Sequence, residues 1–438
     1  MTSLIKPRER TAIINSLKAG VVPRVGLQHI QVGRKDEIEA VMGDLENVAD
    51  GGAAIRFIIG KFGSGKSFFL NLSRTLALEK HFVVTQADIT LNHRMQSSGG
   101  HARALYSELM HNMSTRAKDD EGGALPALIE QWVADVAFET RKKKENLYEA
   151  IYDKLKPFQN LVSGYDFATV IFRYVDGFEK GNDLLMASAL RWLQAEYTTK
   201  TEARQELGVR SIIDDSNYYD YLKLMAAFSR MAGYKGLLVN IDEMGVISQN
   251  LNSELARKAN YEMILRILND CLQGSVSGLG FFFAGTDTFM DDNKRGLASY
   301  KALASRLAGN SFAVGGLKDY STPVIRLPNL TQEEMYVLLF NIRHVYASGD
   351  PDKYIIPDEA LRLYMQYCAK RLGNDYFQTP RDSVKGFVGF LAVLEQNKEA
   401  DWRKLLDDNK LEHTADPANN GADPQSSEKL DELAKFQL

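Results

Sequence analysis

Residues 55–67 read I-R-F-I-I-G-K-F-G-S-G-K-S. The apolar run Ile55 to Ile59 predicts a buried strand. The segment Gly60 to Ser67 then fits G-x-x-x-x-G-K-[ST], and a helix from Ser67 to about Leu78 follows. Glycines at 60, 63 and 65 let the backbone curl until its N–H groups face a polyphosphate. The helix N-terminus points at the same charge. Lys66 would reach the β- and γ-phosphates, and the Ser67 hydroxyl would sit on Mg²⁺. The pattern therefore predicts a site for ATP or GTP, with Gly60, Gly63, Ser64, Gly65, Lys66, Ser67 and Phe68 lining it.

Composition fits that reading. The 438 residues allow roughly two to three domains. They are 45% hydrophobic and 25% charged, enough for a large core. A net charge of −4 carries no global basic bias toward nucleic acid, although local patches remain open to that role. Cys271 and Cys368 both fall in apolar helical patterns, which points to a reducing compartment without disulfides. The N-terminus lacks the apolar core of a signal peptide, and no 18-residue apolar run exists. The expectation is a cytoplasmic chain with no membrane partner.

Outward from the glycine loop, helices are predicted over residues 7–19 and about 35–48. The second strand is expected at His81 to Ala87. Apolar spacing of three and four recurs between about Asn92 and Tyr234, as in Leu105-Leu109-Met113, Leu147-Ile151-Leu155 and Met186-Leu190-Leu193. About 140 residues between two strands exceed any single crossover helix, so this stretch reads as a helical insertion. Polar breaks are expected near Ala117–Gly123 and Thr198–Glu202. Strands resume at 236–243, at 280–286 and at 324–327, which predicts an α/β parallel sheet flanked by helices. From Thr331 the pattern is helical, with Thr331-Gln-Glu-Glu334 as a capping box and Pro357 and Pro380 opening further helices. The implied domains are 1–40, a helix and nucleotide-flanking loop; 41–330, the core with its insertion; 331–400, a helical lid; and 401–438, a polar, partly disordered tail.

Leu237-Leu-Val-Asn-Ile-Asp242-Glu243 is a buried strand ending in two carboxylates. An acidic turn would explain this segment alone, but beside a phosphate loop it reads as a metal and water site. Asp242 would hold the Mg²⁺ shell, and Glu243 would polarise water for in-line attack. With the two strands side by side, Thr286 at the end of the strand through Phe281 to Ala284 would touch the attacking water or γ-phosphate, with Asp287 as the second choice. In Arg295-Gly-Leu-Ala-Ser-Tyr-Lys-Ala-Leu-Ala-Ser-Arg306-Leu307, Arg306 on a helix before the last strand would reach a neighbouring subunit's nucleotide, with Arg295 as alternative. Thr379-Pro-Arg381-Asp382 would bring Arg381 to the nucleotide if the lid folds over the loop. Gly33-Arg34, with Val32, would pack on the base. The first 35 residues carry seven Lys/Arg against one acid, and Arg141-Lys-Lys-Lys144 is denser still. The first is either a solvated face or a contact to nucleotide phosphates or nucleic acid, and the second either a solvated helix or a contact to nucleic acid or a partner.

The order V-G-R, glycine loop, Asp-Glu strand, G-T, S-R-L and T-P-R resembles the AAA+ ATPases, and within them the initiator clade that includes origin-recognition proteins. More narrowly, Gly20 to Arg34 (G-V-V-P-R-V-G-L-Q-H-I-Q-V-G-R) and Arg295 to Leu307 resemble the ATP-binding proteins of BREX phage-defence systems, of the BrxD type. The resemblance implies ATP as cofactor with Mg²⁺, hydrolysis in a self-association or with a partner ATPase, and work beside a helicase or other defence proteins. It also implies DNA, contacted directly or through a partner. Initiator proteins usually add a C-terminal winged helix; about 40 polar residues after the lid are too short for one. The competing expectation is a nucleotide-dependent switch with slow hydrolysis.

Overall fold

The computed structural model describes residues 5–119, 122–313, 318–372 and 380–407. Thr379 and the polar tail after Asp407 lie outside them. In chain order the elements are α1 (Pro7–Ala19), α2 (Lys35–Ala49), β1 (Ala53–Ile59), α3 (Lys66–Glu79) and β2 (Val83–Asp88). There follow α4 (His101–His111), α5 (Leu125–Lys143), α6 (Leu147–Leu155), α7 (Gly164–Lys180), α8 (Asp183–Leu193), α9 (Lys200–Leu207) and α10 (Tyr218–Met231). Then come β3 (Leu237–Asp242), α11 (Gly245–Gln249), α12 (Glu254–Leu272), β4 (Leu279–Gly285), α13 (Asp287–Asp291), α14 (Lys301–Arg306) and β5 (Val324–Arg326). The chain closes on α15 (Gln332–Tyr346), α16 (Asp358–Leu372), α17 (Pro380–Gln396) and α18 (Trp402–Asp407).

Among the described residues the strands form one parallel sheet in the order β2-β3-β4-β1-β5. The strands carrying the glycine loop and the acidic pair are thus not side by side, as the sequence reading had them. β4 lies between, with Phe57 opposite Phe283 on one side and Val239 opposite Phe281 on the other. Strand order depends on which faces the crossover helices take, and local pattern does not record that. The consequence is favourable for the site: the end of β4, with Thr286, falls between the ends of β1 and β3.

Alternation along each strand feeds two cores, because a parallel sheet is covered on both faces. Phe57, Ile59, Val83, Val239, Phe281 and Phe283 pack on one side with Leu105, Trp132, Phe167, Phe228 and Ile264. Ile58, Val84, Leu238, Phe282 and Ile325 pack on the other with Val41 and Leu45 of α2 and Phe69 and Leu70 of α3. The helices α4–α10 therefore share a core with the sheet. Within the sheet, Phe57–Phe283 centroids are 5.2 Å apart and Phe281–Phe283 5.8 Å, and Tyr219 of α10 bridges to Phe281 at 6.2 Å. A third core joins Ile13 of α1 to Met335, Leu339, Leu361, Phe387 and Leu391 of α15–α17.

Local details depart from the sequence reading in three places. Met113 lies beyond α4, buried in the following loop. The break near Thr198 is a helix start, since the Thr199 hydroxyl caps the N–H of Glu202 and opens α9. Arg295 sits in a turn, and only Arg306 is helical. The Thr331–Glu334 capping box is present, and Pro380 opens α17. Cys271 and Cys368 are buried thiols. No helix among the described residues is long and apolar enough to cross a membrane.

One charge sits within β1. Arg56 meets Asp44 of α2 twice, at 2.5 and 2.8 Å, and caps the carbonyls of Tyr320 and Thr322 at 2.7 and 2.5 Å. Arg56→Ala strands that carboxylate. It should cost about 3–5 kcal/mol in denaturant unfolding. Arg56→Met paired with Asp44→Leu should recover most of that loss.

Candidate nucleotide site

The glycine loop leaves β1 at the carboxyl end of the sheet, where open α/β sheets bind ligands. Gly65 has φ 89°, a left-handed conformation that strains any residue with a β-carbon. At Gly60 a β-carbon would sit 2.4 Å from Ser64 Oγ and 3.0 Å from the Leu327 carbonyl. The loop can turn this tightly only without those side chains. It opens directly into α3, whose first N–H groups have no intrahelical partner. A cleft of about 250 Å³ lies over the loop, lined by Gly63 to Phe69 and also by Glu243, Thr286 and Arg381.

Lys66 folds back along the loop, its Nζ donating to the carbonyls of Gly60 at 3.0 Å and Lys61 at 2.9 Å. Burial pushes its ammonium below the ordinary pKa, while the charges of Asp242, Glu243 and Asp287 oppose that shift. Ser67 Oγ donates to Asp242 Oδ2 at 2.6 Å. The other oxygen of Asp242 accepts from the backbone N–H of Glu243 at 2.7 Å. Glu243 has φ 56°, a conformation that non-glycine residues hold only where their surroundings over-determine it. Its carboxyl is raised above its ordinary pKa by burial first, then by Asp242 and Asp88; Lys66 and Arg381 pull the other way.

Thr286 ends β4 between these groups. Its Oγ1 caps α13 through the Phe289 N–H at 3.3 Å and lies 2.8 Å from Thr288 Oγ1, so it is both a cap and a wall of the cleft. Asp287 pairs instead with Arg326 at 3.3 Å. Arg306 ends α14 with its guanidinium exposed, donating only to its own helix at the Ala302 carbonyl (3.0 Å) among the bonds described, and it does not line this cleft. Arg295 is committed elsewhere, holding the carbonyls of Ser248, Gln249 and Leu251 at 2.7, 2.9 and 3.0 Å. Arg381 lies over the exposed Phe62 ring, 5.5 Å from its centroid. Phe68 packs against the core of α15–α17. Val32 lines an apolar end of the cleft with Val22, Pro23, Leu330 and Leu338. Arg34 lines it as well, but its guanidinium donates to the carbonyls of Ser64, at 3.2 Å, and Pro328.

Two residues escaped the sequence reading. Asp88 ends β2 in register with Asp242, and its carboxyl is raised by desolvation and by Asp242 and Glu108. Arg326 ends β5 and grips Asp291 through both guanidinium nitrogens, at 2.9 and 2.7 Å. The usable signal was position: both are polar residues at the carboxyl end of a strand.

The donor set suits a phosphate-bound divalent cation. Among the described residues no group of three His, Cys, Asp or Glu could hold a metal unaided. Ser67 and Asp242 present two adjacent oxygens that need phosphate oxygens and water to complete a shell. Ser64 Oγ is buried with no hydrogen-bond partner, beside the same space.

The model of the family described as BREX system ATP-binding protein BrxC/D matches residues 5–410. The chain belongs to that family, and an ATP-binding role in a BREX phage-defence system follows. No curated protein matches the chain. Lys66→Ala, which removes an ammonium lining the cleft, should weaken ATP binding about 10- to 100-fold by calorimetry, the worth of a charge-assisted hydrogen bond.

Proposed function

We propose that this BREX ATP-binding chain is a Mg²⁺-dependent ATPase of AAA+ type, related to the initiator clade, and that it couples ATP binding and hydrolysis to rearrangement of a DNA-processing defence complex. The observation that carries the proposal is the Ser67–Asp242 hydrogen bond with Glu243 immediately beside it. Gly60, Gly63, Ser64 and Gly65 wrap the polyphosphate with backbone N–H groups. Lys66 exchanges its carbonyl partners for the β- and γ-phosphates. Ser67 and Asp242 would hold Mg²⁺, which would supply charge neutralisation across the phosphates. Glu243 accepts a hydrogen bond from the attacking water, and Thr286, between the two strand ends, orients it. Val32 and its apolar neighbours take the base, with Phe68 and Arg381 at the border of the helical unit.

In this reading residues 41–330 form the core, with the insertion at about 92–234, and 331–400 act as a lid whose Arg381 senses the nucleotide. The segment 1–40 supplies the flanking loop. Arg306 serves in trans, on a neighbouring copy or a partner ATPase. The DNA and helicase partners belong to the complex, in the cytoplasm where phage DNA is met. Any direct DNA contact would fall to the basic end of α5, where Lys142 lies 4.1 Å over the exposed ring of Phe138. The exposure of Arg306 away from its own cleft also favours a second reading: alone, the chain is a slow nucleotide switch.

Glu243→Gln should keep ATP affinity while lowering hydrolysis by about 10²-fold or more. The ionised carboxylate is the working form and its pKa is raised. Wild-type kcat should therefore fall with decreasing pH at values above the ordinary carboxyl value of 4.5, and the variant should lack that limb. Specific activity should rise with protein concentration, and Arg306→Ala should flatten that rise. Full turnover by the Glu243 variant would refute the assignment.

A further inference from the structure

Arg34 was expected on the nucleotide, and the structure gives its guanidinium other work. One nitrogen, Nη2, serves two carbonyls from separate parts of the chain. Ser64 belongs to the glycine loop. Pro328 belongs to the connection that leaves β5 and enters α15. The backbone is shaped for this reach. Gly33 and Arg34 are consecutive left-handed residues, with φ 65° and 64°. The Glu334 carboxylate is packed so closely on Gly33 that a β-carbon there would lie 2.3 Å from its Oε1. Glu334 in turn closes the capping box of α15, accepting from the Thr331 N–H at 2.8 Å. Burial lowers the guanidinium's pKa, and the charges of Glu37 and Glu334 oppose this.

We infer that Arg34 is a positioning residue that ties the conformation of the glycine loop to the placement of α15 and the helices packed on it. The inference rests on the nucleotide reading of the loop. Phosphate binding recruits the loop's N–H groups, and each peptide that rotates toward the phosphate moves its carbonyl too. Ser64 O is such a carbonyl, and Arg34 links it to Pro328 O three residues before the N-cap Thr331. α15 is the route onward, because Met335, Leu339 and Ile342 share the core of α16 and α17. A lysine cannot reproduce this geometry: its Nζ ends one bond short of the position from which Nη2 reaches both carbonyls.

Amide hydrogen exchange of the full chain, with and without ATPγS and Mg²⁺, tests the link. In wild type the nucleotide should slow exchange about tenfold both at the start of α3 and at the start of α15. Arg34→Ala should keep the slowing at α3 and reduce that at α15 to less than about twofold. ATP affinity should fall by no more than about fivefold, because the guanidinium is engaged by the Ser64 and Pro328 carbonyls. Arg34→Lys should behave as Arg34→Ala, and its unfolding midpoint should stay near wild type, which keeps the test valid if the alanine variant folds poorly. Retained slowing at α15 in both variants would overturn the inference. Loss at α3 as well would assign Arg34 to the ligand instead. No slowing at α3 in wild type would refute the nucleotide reading itself, and the link with it.

Discussion

The 2.6 Å hydrogen bond from Ser67 Oγ to Asp242 joins the N-terminus of α3 to the end of β3 across the width of an intervening strand. That contact brings a hydroxyl and a carboxylate from separate elements together at the cleft. It sets two oxygens where a phosphate-bound cation would sit. It also holds Asp242 so that its second oxygen fixes the backbone of Glu243. The order β3-β4-β1 makes this geometry possible, because two parallel strands on either side of β4 end at one level. Thr286 then arrives between them without any special loop.

Burial on both sheet faces maintains this alignment. The insertion helices occupy one face and α2 with α3 the other, so neither face can slide without losing packed aromatic and aliphatic area. The helical unit has its own core, seeded by Ile13 from α1. Among the described residues it meets the glycine loop and the start of α3 at Phe68 and the Arg381–Phe62 pair, while Arg34 ties the loop to the connection that enters α15. A sheet core and a second, separate helical core that meet at such contacts form a construction that lets one move against the other. Carboxylate crowding adds to the tension at the junction, since Asp88, Asp242 and Glu243 converge where positive charge is supplied by Lys66 and Arg381.

Much of this was legible in residues 55–67 and 237–243, because the chemistry of phosphate binding demands glycine, lysine and hydroxyl at fixed spacing. The strands were legible as short apolar runs, and α15 as a capping box. Strand order was not, since it is a property of crossovers. The insertion's union with the sheet core was not, since its apolar faces look the same whether they pack on each other or on β-strands. The fates of the arginines were also hidden. Arg295, Arg306 and Arg34 carry the same guanidinium, and only the fold shows the first two to be respectively tied to backbone carbonyls and exposed, and the third turned onto Ser64 and Pro328. Asp88 and Arg326 were missed because single polar residues at strand ends carry no motif.

The most direct test of the account is calorimetric titration of the intact chain with ATP, run once with Mg²⁺ and once with a chelator. Binding should be saturable and weaken about tenfold or more without the cation, because in the proposed site Ser67 and Asp242 would meet the phosphates through Mg²⁺. Binding that is indifferent to Mg²⁺, or no binding at all, would contradict it.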